Sequence, residues 1–168
     1  MSTPPTSQVP NVIGYLIDTF TAAATLGQAT PAVSVRCGPE LSGDFSQLVL
    51  FVGVDDPTSL EQGTPPTGAT SEQVWVGMGA RARDEDLSVY CTAEAWSGDT
   101  GTRVAMVAAY GIVAAAEAVL LADVSMGGLA LYQAPGSTGH ALRWQQGEGG
   151  LAAHVTFRIA AKARLNGP

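Results

Sequence analysis

The residues able to do chemistry are few and scattered along the 168-residue chain. Catalysis by proton transfer or by a metal needs such residues to converge on one site. The chain has two histidines, His140 in a glycine-rich turn and His154 on the polar side of a predicted strand, and we expect both to be exposed. No HExxH, phosphate-binding glycine loop or GxSxG motif occurs in the sequence. We therefore expect neither enzyme activity nor a bound cofactor.

Two acidic clusters are the most enzyme-like positions. Asp55 and Asp56 follow an apolar predicted strand, a place where carboxylates often hold a divalent cation. The alternative interpretation is a polar turn at the sheet edge. The three carboxylates of the run 84–86 (DED) repel one another, which is typical of a solvated turn or a cation-facing patch. We predict no metal site, and a small metal-dependent hydrolase using Asp55 and Asp56 is the rival from another functional class.

The cysteines and tryptophans favour packing roles. Cys37 and Cys91 each lie alone in a predicted strand without CxxC spacing, and we predict two buried thiols. A disulfide would need their α carbons within bridging distance, which a sequence does not give. Among Trp75, Trp96 and Trp144, Trp96 falls on the polar side of its strand. Trp96 is therefore the first candidate for a subunit contact, with the rim of the core as the alternative.

Charge and hydropathy bound the partners. The formal net charge is -7 and no basic cluster occurs, so nucleic acid is expected to pass without tight binding. The N-terminus, Met1 to Val9, lacks a charged start and an apolar run, which predicts no secretory signal. Arg103, Glu117 and Asp123 interrupt the most apolar predicted helix, so we expect no membrane span. These features predict a soluble protein made in a cytoplasm.

The hydrophobic pattern switches between a helical and a strand period along the chain. Apolar spacing predicts helices at 10–26, stopped near Gly27, and at about 100–122, capped by Asp99 or Thr100. Period-2 alternation predicts long strands at 87–96 and 151–165. Shorter strands are predicted at 33–37, 47–54, 71–79, 129–134 and 140–146. The order predicts an α+β fold, a two-layer sandwich with an antiparallel or mixed sheet and helices on one face.

The second helix and one loop carry further expectations. In that helix, apolar residues at helical spacing are predicted to face the sheet. They are Val104, Val107, Ile112, Ala115 and Val119. We expect residues 1–9 to form a flexible N-terminus and residues 10–168 a single domain. A long loop at 55–71, rich in Pro, Gly, Thr and Ser, is either a contact arm or a solvated loop.

Five segments carry a resemblance to a known family. They are FVGVDDP (51–57), SEQVWVGMGARARDED (71–86), AWSGDT (95–100), AAEAVLLAD (115–123) and HVTFRIAAKARL (154–165). In this order and spacing they resemble the tail terminator proteins of long-tailed, siphovirus-type bacteriophages. The similarity spans nearly the whole chain after the first few residues. The Pro-rich start and a turn at 135–139 depart from the family pattern.

The resemblance implies a structural virion protein, located at the head-proximal end of the tail. Such a subunit forms a ring, a hexamer, that caps the tail tube, stops its polymerisation and presents a surface to the head. The implied partners are further copies of the chain, the tail tube protein and the head–tail connector protein, with DNA passing through the channel. A head-completion or neck connector ring of the same virion is the main alternative. A closed ring needs two different patches on each subunit.

Candidate residues for these surfaces follow from residue type. Candidate subunit contacts are aromatic or basic: Trp75, Arg81, Arg83, Trp96, Arg158, Lys162 and Arg164. Candidate channel-lining residues are acidic: Glu61, Glu72, Asp84, Glu85 and Asp86. The alternative for the acidic set is that it keeps the outside of the protein soluble.

Overall fold

A mixed β-sheet with two helices on one face is the scaffold, which confirms the predicted α+β class. The computed structural model describes residues 6–39, 46–59, 63–77, 82–98, 101–135, 139–147 and 150–166. The elements in these ranges are α1 (Val9–Ala22), β1 (Ser34–Cys37), β2 (Leu48–Val52), β3 (Ala69–Trp75), β4 (Ala82–Ser97), α2 (Thr102–Ala122), β5 (Tyr132–Pro135), β6 (Ala141–Gly147) and β7 (Gly150–Asn166).

The two longest strands, β4 and β7, pair antiparallel at the centre of the sheet. Their register runs from Ala82 opposite Asn166 to Ser97 opposite Leu151. β2 and β3 share the other edge of β4, and β5 and β6 share the other edge of β7. β1 pairs parallel to β2. One end of the sheet therefore has the order β1-β2-β4-β7-β6, and the other end has the order β3-β4-β7-β5.

The core lies between the helices and one face of the sheet. Alternate residues of β4 and β7 point to the helices and are buried, as their period-2 pattern predicts. α1 contributes Val12, Leu16 and Phe20 to this core. α2 buries Ala105, Ala109, Ile112, Val113, Ala116 and Leu120. The core is built largely from small side chains, which lets α2 approach the sheet closely.

The predicted sheet-facing side of α2 is wrong at two positions. Ile112 is buried and Ala115 and Val119 are partly buried, but Val104 and Val107 are 56% and 60% exposed. The helix turns its alanines to the sheet, because small side chains allow the closest approach of helix and sheet. The larger valines are left on the outside.

Several predicted boundaries also shift. The run 84–86 is part of β4, so it is not a turn. α1 ends at Ala22, and Gly27 follows in a turn whose N–H donates to the Phe20 carbonyl at 3.1 Å. The N-cap residue of α2 is Gly101, which has no side chain to cap the helix. The predicted caps Asp99 and Thr100 lie outside the described residues.

Residues 54–59 and 63–67, here called the covering segment, lie on the sheet face opposite the helices. The Thr92 hydroxyl donates to the carbonyls of Val54 and Asp55, both at 3.1 Å, and the Thr156 hydroxyl donates to Asp55 at 2.8 Å. Val54 packs with Val49 and Phe51 of β2 in a second apolar cluster. The predicted loop at 55–71 is therefore shorter, since 69–71 belong to β3, and its residues 60–62 lie outside the described ranges.

The two thiols differ in environment. Cys91 is buried, and burial raises its pKa to about 12, so the thiol stays protonated and unreactive. Cys37 is exposed at the end of β1, which corrects the prediction of two buried thiols. Both cysteines are free. The exposed position of Cys37 follows from β1 being the outermost strand at its end of the sheet.

Candidate subunit interface

Six of the eight described charged candidates of the two predicted surfaces meet on one face of the sheet. Arg164 donates two hydrogen bonds to Asp84, at 2.7 and 3.1 Å, because the two residues are paired in register. The Lys162 ammonium lies 3.6 Å from the Asp86 carboxylate. The hydrogen bonds from Arg164 hold the pKa of Asp84 below its ordinary value. Contact and channel candidates therefore do not form separate basic and acidic surfaces, since they pair within one chain.

Two more candidates complete this charged face. Glu72 of β3 lies opposite Asp86 in the register and is exposed. Arg158 of β7 lines an open groove of about 320 Å³ with Glu72, Asp86 and Tyr132. The groove is shallow and mixed in charge, so it has the character of a solvated surface. Two other charged candidates, Arg81 and Glu61, lie outside the described residues.

Glu85 is buried, which corrects its prediction as a channel residue. Its carboxylate accepts hydrogen bonds from the Ser7 hydroxyl at 2.5 Å, the Gln8 backbone N–H at 2.7 Å and the Gln73 amide at 3.2 Å. Burial alone raises the pKa of Glu85, but these hydrogen bonds outweigh burial and lower it. Glu85 therefore accepts the hydrogen bond of the Gln8 N–H at the start of α1 and places a negative charge at the positive end of the helix.

The N-terminal residues are held through the same contacts. Of the segment 1–9 that we expected to be flexible, residues 1–5 lie outside the described ranges. Ser7 and Gln8 bond to Glu85, and the Thr6 carbonyl accepts from the Gln73 amide at 2.8 Å. Residues 6–8 are thus attached to β3 and β4.

The end of the β3–β4 hairpin exposes large apolar side chains, here called the hairpin patch. Val74, Trp75 and Val76 are 63%, 63% and 47% exposed. Val74 and Trp75 point to opposite faces of β3, so neither face is covered at this end of the strand. The Arg83 guanidinium lies 5.5 Å from the centre of the Trp75 ring, a cation–π stack. Trp75 and Arg83 are therefore together at the surface, as a contact site requires.

A second exposed apolar site, the β5 patch, lies at the opposite edge of the sheet. Leu131 and Tyr132 are 54% and 55% exposed. They are held there by the β5–β7 pairing, in which Tyr132 lies opposite Lys162 and the Leu131 N–H donates to the Lys162 carbonyl at 2.7 Å. At this end of the sheet the order is β3-β4-β7-β5. The hairpin patch and the β5 patch thus flank one sheet on opposite sides.

The side of α2 facing away from the sheet, here called the outer stripe, is apolar along its whole length. Its members are exposed and recur at intervals of three and four residues: Val104, Val107, Gly111, Ala114, Ala118 and Leu121. The 21 residues of α2 include two charged side chains, Arg103 and Glu117. A helix that is apolar on every side is normally covered on every side. The uniform composition of 102–122 was the sequence signal for this surface.

By length and composition α2 is also long and apolar enough to cross a membrane, contrary to our expectation. Arg103 lies in its first turn and Asp123 beyond its end, so Glu117 is the one charge in its interior. A mostly buried core helix can be as long and as apolar. The inner face of α2 packs on β4 and β7, whereas its outer stripe is exposed, so α2 is covered on one side.

A buried polar cluster lies beneath the covering segment. His154 is 4% exposed, which corrects the prediction of an exposed histidine. Its Nε2 lies 3.2 Å from Glu94 Oε2, and the Trp96 indole N–H donates to Glu94 Oε1 at 2.5 Å. Burial lowers the pKa of His154 to about 4 and raises the pKa of Glu94, so burial favours the neutral form of both. A protonated Glu94 can then donate to His154 Nε2, which has no hydrogen bond to any described residue.

Trp96 is only partly exposed and contacts other residues of the same chain. Besides the bond to Glu94, its ring approaches Gly147 of β6 so closely that a side chain there would lie 3.4 Å from it. Trp96 is therefore part of the sheet's own packing, which is the alternative that we weighed for it. Trp144, by contrast, is 44% exposed on β6.

The carboxylates of the rival hydrolase site hold the covering segment together. Asp55 accepts from the Thr67 N–H at 2.8 Å and Asp56 accepts from the Thr58 N–H at 2.9 Å. Arg143 of β6 donates to Asp56 at 2.5 Å. Partial burial alone raises the pKa of Asp56, but the bonds from Thr58 and the charge of Arg143 lower it. Within the described ranges, no three His, Cys, Asp or Glu side chains are grouped to hold a metal.

His140, the other histidine, is exposed as predicted. Its Nε2 lies 3.4 Å from the Glu117 carboxylate of α2, and its ring is tilted against that of Tyr110 at 5.9 Å. His140 therefore links the segment before β6 to the flank of α2.

Comparison with protein-family models and with curated proteins finds no match for the chain.

Proposed function

We propose that this chain is a structural subunit that assembles head to tail into a closed ring. The observation that supports the proposal best is the placement of the hairpin patch and the β5 patch on opposite edges of one sheet. A ring needs two different, complementary patches on each subunit, arranged so that each copy leaves one patch free for the next. Exposed Trp75 and Tyr132 are the residue types that dominate such contacts.

Within that class, we propose a tail terminator ring of a long-tailed bacteriophage. This step rests on the resemblance of the five sequence segments, of which 71–86 includes the hairpin patch. The ring would cap the head-proximal end of the tail tube, with the connector as its other neighbour. The net charge of -7 suits a channel that DNA must pass without binding.

The ring is tested by electron microscopy of the purified chain. Wild type should form closed rings, and Trp75→Ala or Tyr132→Ala should each abolish them, because each removes one of the two patches. Trp144→Ala is the matched control, since it removes an exposed aromatic ring outside both patches. Wild-type protein without rings, or rings that survive both substitutions, would contradict the proposal.

The virion role is tested by deleting the gene from a phage that encodes this chain. A tail terminator is expected to leave tails of uncontrolled length when absent. Tails of normal length that fail to join heads would indicate a neck connector ring. Normal, infectious particles would end both readings.

A further inference from the structure

We infer that two copies of the chain pair through their outer stripes, with the two α2 helices antiparallel about a twofold axis. The inference does not depend on the ring, because it uses the side of α2 that faces away from the sheet. The residues of the stripe are spaced at intervals of 3, 4, 3, 4 and 3. This is the spacing found where two helices pack along their length, with the side chains of one helix fitting between those of the other.

The order of residue sizes along the stripe fits an antiparallel partner. When two copies are aligned at the centre of the stripe, Val104 faces Leu121, Val107 faces Ala118 and Gly111 faces Ala114. The small residues thus meet at the middle, where two helices can approach most closely. The larger residues would pack against each other toward the two ends of the interface. These are Val104, Val107 and Leu121, which are 56%, 60% and 66% exposed in the single chain.

The charges flanking the stripe favour the same orientation. In the antiparallel arrangement the exposed Arg103 of one copy lies beside the C-terminal end of the partner's helix. That end carries the negative pole of the helix and the Asp123 carboxylate, whose pKa is lowered to about 2 chiefly by a hydrogen bond from Ser125. On the flank, Tyr110 of one copy comes near Glu117 of the other. A parallel pair would instead place two Arg103 side chains together.

A lipid surface is the less favoured occupant of the stripe. Helices that lie on membranes carry Lys and Arg on their polar side and bind anionic lipid through them. α2 has Arg103 alone and the chain has a net charge of -7, so an anionic bilayer repels it. Such a helix also has a polar side, whereas both the outer stripe and the sheet-facing side of α2 are apolar.

The test uses the full chain carrying Trp75→Ala, which removes the ring contact and leaves the stripe. We expect this protein to have the mass of a dimer by light scattering. Adding Ala114→Glu should weaken association by about 100-fold or more and give monomers, because it buries an unpaired carboxylate in the interface. The matched Ala114→Ser should remain a dimer. Circular dichroism checks that each variant is folded. A monomeric Trp75→Ala protein would overturn the inference.

Disulfide trapping tests the orientation, in a Cys37→Ser background that removes the exposed native thiol. Copies carrying Val104→Cys should cross-link to differently tagged copies carrying Leu121→Cys. Copies carrying Leu121→Cys alone should not cross-link, because antiparallel helices hold these positions about 25 Å apart at 1.5 Å per residue. Self-linked Leu121→Cys, or no mixed product, would refute the antiparallel pair.

The two proposals fail separately. Absence of rings from the wild type removes the ring function and leaves the mass of the Trp75→Ala protein as an independent result. Flotation with vesicles of phosphatidylcholine and phosphatidylglycerol covers the lipid alternative. Binding to these vesicles that Ala114→Glu abolishes would show that the stripe meets lipid, and would overturn the inference.

Discussion

The buried His154 should make the stability of the folded protein fall in mild acid, and the size of its contribution follows from its pKa. His154 has a pKa of about 4 in the folded chain against 6.5 for an ordinary histidine. The folded state therefore binds fewer protons than the unfolded state between these values, so stability rises with pH and is lost as pH falls through 6.5 toward 4. At pH 5.0 the linkage relation gives a loss of about 2 kcal/mol relative to pH 7.5.

Glu94 acts in the opposite direction and must be removed from the comparison. Burial raises its pKa, so the folded state takes up a proton earlier than the unfolded state and gains stability as pH falls. Glu94→Gln eliminates this titration and keeps a neutral donor facing His154 Nε2. The informative pair is therefore Glu94→Gln with and without His154→Gln.

The assay is urea unfolding at pH 7.5 and 5.0 at one protein concentration. We expect Glu94→Gln to lose about 2 kcal/mol more than Glu94→Gln/His154→Gln between the two pH values. His140→Gln in place of His154→Gln is the control, because His140 is exposed, and it should leave the loss of the Glu94→Gln protein intact. Equal losses with and without His154 would refute the assignment of a buried, neutral imidazole.

Three further predictions concern packing and helix ends. Glu85→Ala should lower the free energy of unfolding by about 2 kcal/mol, because three hydrogen-bond donors lose their acceptor. It should also increase amide hydrogen exchange in the first turn of α1. The control is Asp86→Ala at the exposed neighbouring position, which should cost less than about 0.5 kcal/mol. Ala109→Leu should cost about 1–3 kcal/mol in urea unfolding, since Ala109 is fully buried between α2 and the sheet. Gly150→Ala should lower the melting temperature, at a cost of about 1–3 kcal/mol, because φ is +115° and the new methyl would lie 2.6 Å from the Ser97 carbonyl oxygen. An unchanged melting temperature would contradict this close approach at Gly150.

The strands were the predictable part of the fold. Leu87, Val89 and Cys91 alternate with polar residues in β4, and the same alternation runs through β7, because each strand has one face against the helices. The acidic run 84–86 hid the first residues of β4, since three charges in a row are typical of a turn. Pairing with Lys162 and Arg164, and the burial of Glu85, explain why a strand tolerates them.

The orientation of α2 and the burial of His154 could not be read from the pattern. Because α2 has alanines on all sides, its apolar pattern does not mark one side as the buried one. The prediction therefore followed the larger residues Val104 and Val107, whereas the alanines face the sheet. His154 alternates with buried residues, as an exposed residue does. It is buried because the covering segment, bonded through Asp55 and Thr156, lies over that face.

β7 pairs with β4 along one edge and with β5 and β6 along the other, and this position affects how the chain folds. β7 is the last of the described strands in chain order, yet it is hydrogen-bonded to three others. During translation, β4 cannot be joined to β5 and β6 in one sheet until residues 150–166 have left the ribosome. Pairing between such distant parts of the chain gives a high contact order, so we expect slow folding. Until β7 pairs, the unpaired edges of β4, β5 and β6 are open to aggregation.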